Sequence, residues 1–537
     1  MLKFSLGVSE NIDTFAALMK KPKAKLISAA LTAALGVCVF LFWYVGFPHA
    51  LSYHEQYQLF LWTSDYLLER ISVPGGVSDW IGEFIVQFYY IEWLGALLLA
   101  LLFMLLLRIT RWLIVPILLL WLMGDPNALL SYAVALTVAA GAARINKSSG
   151  TKGFMCDIIL IPFIYWASGP MAWVYVLLRS IRIGWLGCAL PLWLLSLHLA
   201  VYQWLLPQWP LEMVLLPELF YRIPLQCPTL MWVIPLVTVV TMGTEAWLQE
   251  NPSKMIRLGV GIVHYAACIA LLWTGISKGY DREMYELIWQ DYQVRNEQWD
   301  AIIERAKEYQ VKTSFSSVCV NLALAEKRML ADRMFDFYQS GEDALIMPRI
   351  RDLTSMLPSM EVFWRLGMVN AAQRYAFDTQ ESILNGRKSG RCTKRIAECM
   401  LVNGHLKTAE KQLSLLRNTL FYRHWAQQAT ADAKVKALRY QQDFLFSYAE
   451  MDKMLGLLFM GNKDNKMALD YFIGQLLLKG DVQAFAQYLP MVQQYGGYQR
   501  MPLGYQDVAL CIQRQGNVPD SPYANYVKRI SAERRNR

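Results

Sequence analysis

What most constrains this chain is where its apolar residues sit. Long runs of Leu, Ile, Val, Phe and Trp recur through the first ~275 residues and then stop. A helix needs roughly 20 apolar residues to cross a bilayer. Candidate spans fall near 26–46, 91–107, 112–123, 128–143, 154–168, 171–178, 184–203, 229–247 and 258–275. Those at 112–123 and 171–178 are short and read equally well as re-entrant segments or as parts of their neighbours. The expectation is an all-α protein in three parts. Residues 1–25 form a cytoplasmic segment, 26–275 a polytopic transmembrane bundle of about nine spans, and 276–537 a soluble helical-repeat domain. The first run follows Lys20, Lys21, Lys23 and Lys25, as a secretory signal would, but its length and the Gly46-Phe47-Pro48 that follows indicate a retained span.

The placement of basic residues gives the spans a direction. With the N-terminus inside, the inner segments hold Lys3, Lys20, Lys21, Lys23, Lys25, Arg108, Arg111, Arg144, Lys147, Lys152, Arg179, Arg182, Lys254 and Arg257. The outer loops hold only Arg70 and Arg222. This alternation is what the positive-inside rule demands. It also accounts for much of the +9 net charge without a nucleic-acid partner. Nine spans place the C-terminal domain outside, and one span more or fewer would reverse that side. The nine Cys lack a CxxC spacing, and Cys392 and Cys399 are too far apart along one helix to pair. Neither a disulfide framework nor structural zinc is expected.

Two outer loops are large, 47–90 and 204–228. In the first, Tyr57, Phe60, Leu61, Leu67, Leu68 and Ile71 suit a helix along the membrane interface, ended by Pro74-Gly75-Gly76. A second such helix is expected from Ser78 as N-cap, with Trp80, Ile81, Phe84, Ile85 and Phe88 at helical spacing. The second loop carries five prolines, 207, 210, 217, 224 and 228, and is expected to be stiff and irregular. In the C-terminal half, Gly367 and Ala372 form a G-x4-A unit that Gly404 and Ala409 repeat 37 residues later; Gly480-Asp481 precedes a further helix. A glycine turn between helices with a small residue at their crossing is tetratricopeptide-like. An irregular helical bundle is the alternative.

Carboxylates gather in the first loop: Glu55, Asp65, Glu69, Asp79, Glu83 and Glu92. Asp79 and Glu83 lie four apart, where like charges want a counter-ion, a cation or solvent. A carboxylate held at the membrane surface is placed for general-base work on a lipid-phosphate substrate. Read structurally, the same residues are the wetted face of interfacial helices. Arg222, beside Tyr221 in the proline-rich loop, suits bidentate phosphate binding, and equally a snorkelling role. Within the spans, Asp157, His198 and His264 are the ionisable residues, with no relay or inverted repeat to make a transporter.

The motif His54-Glu55-Gln56, with Pro74-Gly75-Gly76, Phe84 through Tyr90 and Leu94-Gly95-Ala96, resembles an uncharacterised family of bacterial polytopic membrane proteins. That family shares an HEQ…PGG…QF…LGA signature and C-terminal helical repeats; Tyr422 through Ala426 and Ala468 through Tyr471 are similar to its later landmarks. The resemblance implies a location in the bacterial inner membrane. The loop pattern also resembles GT-C membrane glycosyltransferases, which use polyprenyl-phosphate sugars. Glu55 is the position that matches, so the resemblance implies it as catalytic base or metal ligand; with the loop residues above, the candidate catalytic carboxylates are Glu55, Asp79 and Glu83, and the candidate substrate-binding residues are Arg222, Tyr221 and His54. Glu-Gln in place of paired acids argues against an obligatory metal, so no cofactor is expected beyond the divalent ion some GT-C enzymes use. A non-catalytic envelope scaffold, binding protein partners through its repeats, is the alternative from another class.

Overall fold

The computed structural model describes residues 26–208, 211, 228–250, 253–350, 352, 354–383, 387–431, 447–513 and 520–535. Every regular element among the described residues is a helix, with no strand among them. They form two compact units, one of residues 1–55 and 63–281, the other of 56–62 and 282–537.

In the first unit the apolar helices are α1 (Leu26–Gly46), α5 (Glu92–Thr110), α6 (Ile114–Leu122), α7 (Leu130–Ile145), α8 (Gly150–Ser168), α9 (Ala172–Ile183), α10 (Ala189–Leu205), α11 (Leu230–Glu250) and α12 (Lys254–Lys278). The first loop contributes α2 (Pro48–Gln56), α3 (Ser64–Ile71) and α4 (Gly76–Val86). Among the described residues, six segments are long and apolar enough to cross a membrane: Leu26–Gly46, Glu92–Thr110, Gly150–Ile183, Trp185–Leu205, Leu230–Gln249 and Lys254–Gly275. The unit is apolar outward, with Leu97, Leu101, Leu105, Ile159, Phe163, Leu192, Leu236, Ile262 and Trp273 exposed. Such a surface needs lipid, and the chain is a membrane protein. The nine-residue α6 is only about 13 Å long and the 12-residue α9 about 18 Å, so neither short run spans alone.

Helix α7 is the centre of this unit. Ala133, Ala139, Ala140, Gly141 and Ala143 are buried along it, and such small residues let helices approach closely where no hydrophobic effect drives them together. At one end of the unit, Arg111 and Arg144 pair with Glu245 at 2.9 and 2.8 Å. Arg182 donates to the Asn146 carbonyl there (3.0 Å), and Arg257 to that of Leu248 (3.0 Å). Arg179 differs from the other basic residues, being fully buried against Asp157 at 2.8 Å. Tyr175 and Asn146 also donate to that carboxylate, at 2.5 and 2.7 Å. The intramembrane Asp157 is therefore a structural knot whose charge is cancelled locally, and Arg179 is not a water-facing topology charge.

The second unit is built from helix hairpins: α13 (Arg282–Arg295) with α14 (Trp299–Glu308), α15 (Ser314–Glu326), α16 (Met356–Leu366) with α17 (Val369–Ser382), α18 (Gly390–Val402) with α19 (Leu406–Arg417), and α20 (Lys466–Lys479) with α21 (Val482–Tyr495). The first helix of each hairpin ends in one motif. The amide at the left-handed residue bonds three residues back and the next amide five back, as Gly404 to Leu401 and His405 to Met400. Gly367, Gly404 and Gly480 supply the positive φ at three stops. Glu297 and Arg328, both at φ +57, supply it after α13 and α15. Ala372 and Ala409 are fully buried at their crossings.

Candidate functional site

The first loop does form helices, but with other bounds than expected, and α3 and α4 pack inside the first unit. Helix α2 ends at Gln56, residues 58–62 are non-helical, and α3 begins after Thr63, whose side chain caps the Tyr66 amide. Tyr57, Phe60 and Leu61 therefore do not share a helix with Leu67 and Ile71. Helix α4 starts at Gly76 instead of being capped by Ser78, whose hydroxyl donates to the Ala167 carbonyl (2.7 Å). The Pro-Gly-Gly signature has a direct cause. Gly75 sits at φ +82 and donates to the Trp166 carbonyl at 2.8 Å, while a Cβ on Gly76 would stand 1.8 Å from the Arg70 oxygen. A Cβ on Gly82 would meet the Ser131 amide of α7 at 2.8 Å, and one on Gly95 would meet Tyr89 at 2.7 Å. The motif glycines are close-approach positions.

This docking changes what the acidic residues are. Asp79 and Glu83 are buried, not the wetted face of an interfacial helix. Glu83, 1% exposed, accepts from the Tyr66 hydroxyl and from Arg70 Nε (3.1 Å), and the Arg70 guanidinium lies over the Tyr66 ring. Burial and the Glu83 charge raise the Tyr66 phenol, whereas Glu83 and Tyr66 hold the Arg70 guanidinium up against its own burial. The PGG turn folds α3 onto α4 and so brings these three residues together. Glu55 is 4% exposed near the end of α2, and His49 and His54 on the same helix are buried. Burial pushes both imidazoles down to about 4, so they are neutral near pH 7. Arg222 and Tyr221 lie outside the described residues. Among the described residues no three His, Cys, Asp or Glu side chains gather as a metal-ligand set.

In the second unit, sequence reasoning missed a buried charge network. Arg391 contacts Asp291 (2.7 Å) and Glu361 (3.1 Å), and it donates to Gln56 (3.2 Å). Arg395 reaches Glu361 (2.7 Å) and Glu398 (2.9 Å) and lies over Trp364. Burial alone would raise the Glu361 carboxyl, but Arg395 and Arg391 hold it down at about 2. Nothing in the spacing of these charges shows that they are buried, since charged helix positions ordinarily face water. A cleft of about 490 Å³ lies elsewhere in this unit, lined by Phe335, Phe337, Tyr338, Asn525, Tyr526 and Arg529 among others.

The signature residues carry a family relationship along the whole chain. Residues 23–536 match the family of unknown function DUF6057. The chain belongs to that family. No curated protein and no solved structure matches it. In this DUF6057 member, the His-Glu-Gln motif is where the two units meet in sequence: His54 and Glu55 belong to the first and Gln56 to the second.

Proposed function

We propose that the protein is a GT-C-like glycosyltransferase of the bacterial inner membrane, using a polyprenyl-phosphate-linked sugar at the outer face. The observation that carries this reading is Glu55, a buried carboxylate on a short helix directly after the first span, beside a neutral His54. As base, Glu55 takes the proton from an acceptor hydroxyl while the hydroxyl oxygen bonds to the sugar's anomeric carbon. The anomeric carbon–phosphate oxygen bond breaks, and the electron pair leaves with the lipid phosphate. Arg222 and Tyr221 hold that phosphate. Asp79 shares the buried loop, and Glu83, tied to Arg70 and Tyr66, shapes it. The parity of the spans supports an outer location. Residues 56–62 and 282–537 share one unit and are read as lying on one face of the membrane, whichever of the helices α5 to α12 between them cross it. An even number of crossings returns the chain to the face of the first loop, opposite the N-terminus, and the tetratricopeptide-like hairpins are then periplasmic. The test is the glycan profile of cells carrying Glu55→Gln. Loss of a glycan with normal protein levels supports the reading; an unchanged profile with folded variant sinks it.

The second reading, a non-catalytic scaffold, is favoured by the aromatic cleft of the C-terminal unit. It predicts the reverse pattern. Tyr338→Ala with Asn525→Ala abolishes the cellular phenotype, while Glu55→Gln leaves it intact.

A further inference from the structure

Residues Gln56–Trp62 are encoded between the first two long spans, yet they are part of the C-terminal unit. Gln56 ends helix α2, and residues 58–62 run on from it as a non-helical strap. The Leu59 amide donates to the Lys388 carbonyl at 3.0 Å and the Trp62 amide to that of Asn418 at 2.8 Å. Gln56 Oε1 accepts from Arg391 Nη1 at 3.2 Å, and Gln58 Oε1 from Arg387 Nη1 at 3.1 Å. Tyr57, Leu59 and Phe60 are buried. Backbone bonds that fix register, combined with side-chain pockets that select residues, are how a protein takes an extended peptide.

We propose that residues 387–391 and Asn418 bound a peptide-binding groove that the chain fills with its own strap. The groove selects for a Gln-x-Gln segment followed by apolar residues. Its preference for an amide over a carboxylate at position 56 follows from charge. Arg391 is already neutralised by Asp291 and Glu361, so the Nη1 hydrogen it offers to position 56 fits an uncharged oxygen. A glutamate at position 56 would put a third carboxylate around one buried guanidinium, without water to screen it. A released strap would make the Nη1 hydrogens now given to Gln56 and Gln58 available to a segment of like chemistry from another chain. None of this depends on whether Glu55 is a base.

The test uses the full chain in detergent micelles. By hydrogen exchange, the Leu59 and Trp62 amides should be protected like those of α18, although they lie outside any helix. Gln56→Glu should lower strap protection at least tenfold and leave α7 unchanged. In a chain whose residues 56–62 are replaced by an equal Gly/Ser stretch, a labelled peptide of the strap sequence QYQLFLW should bind saturably. The peptide EYQLFLW should bind at least tenfold more weakly, and the intact chain should bind neither. The proposal is overturned if the strap amides exchange as fast as an open loop, or if Gln56→Glu leaves their protection unchanged. It is equally overturned if the replaced chain keeps α18 protected and fails to bind QYQLFLW. Should that chain not fold, the exchange of the intact protein and of Gln56→Glu still decides.

Discussion

Two buried carboxylates of the first unit each pair with an arginine. Glu83 has Arg70, and Asp157 has Arg179. Removing one member of a buried pair leaves the other charge stranded, which costs about 3–5 kcal/mol. Arg70→Met should therefore destabilise the first unit by roughly that amount, and adding Glu83→Gln should recover part of it; denaturant titration in detergent reads both. Asp470 behaves differently. Burial raises its carboxyl from 3.8 to about 6, against the opposing pull of Arg328 and the Tyr498 hydroxyl. An acid whose folded pKa is raised stabilises the fold while both states hold the proton, and that contribution fades as pH climbs. Stability of the C-terminal unit should thus fall between pH 3.8 and about 6, by at most about 1.4 kcal/mol per pH unit from this group. Asp470→Asn should flatten that slope in pH-dependent melting.

At the scale of elements, the glycines separate into two physical kinds. Gly404 sits at φ +75, and a Cβ added there would meet nothing within 4 Å, so only backbone strain opposes a side chain. Gly404→Ala should cost about 1 kcal/mol, measured as a shift of the unfolding midpoint. Gly76 faces a carbonyl oxygen 1.8 Å from its Cβ position. Gly76→Ala should therefore undock α4 and cost well above the Gly404 change, read as increased proteolysis of the first loop. The repeat motif is legible at Gly367, Gly404 and Gly480 because glycine announces a left-handed stop. The same stop at Glu297 and Arg328 is not, since those residue types carry no such signal. The break in the loop helices is illegible for a related reason. Apolar spacing does not reveal that residues 58–62 leave the helix to pair with Lys388 and Asn418, partners remote in sequence.

For the whole molecule, the proposed topology puts Lys147 and the C-terminal unit on opposite faces of the membrane. In a cysteine-free background, single cysteines at the exposed positions Lys147 and Asp300 test it. An impermeant maleimide added to intact spheroplasts should label Asp300→Cys and not Lys147→Cys. Labelling of both, or of Lys147→Cys alone, refutes the arrangement.

The amino-acid sequence alone determined that the chain is helical and that its first half is built for lipid. Runs of apolar residues have no other stable environment, and helices satisfy every backbone group within the segment. It also determined that glycine-stopped helices follow, because local geometry needs no distant partner. Only the tertiary structure decided which charges are chemistry and which are mortar. Burying Glu83 against Arg70, Asp157 against Arg179 and Arg391 against Asp291 and Glu361 depends on residues that meet through the fold. It likewise decided that the His-Glu-Gln motif divides between units, with Glu55 in the first and Gln56 in a strap of the second. Unit membership is a property of long-range packing, and residue spacing along the chain carries no trace of it.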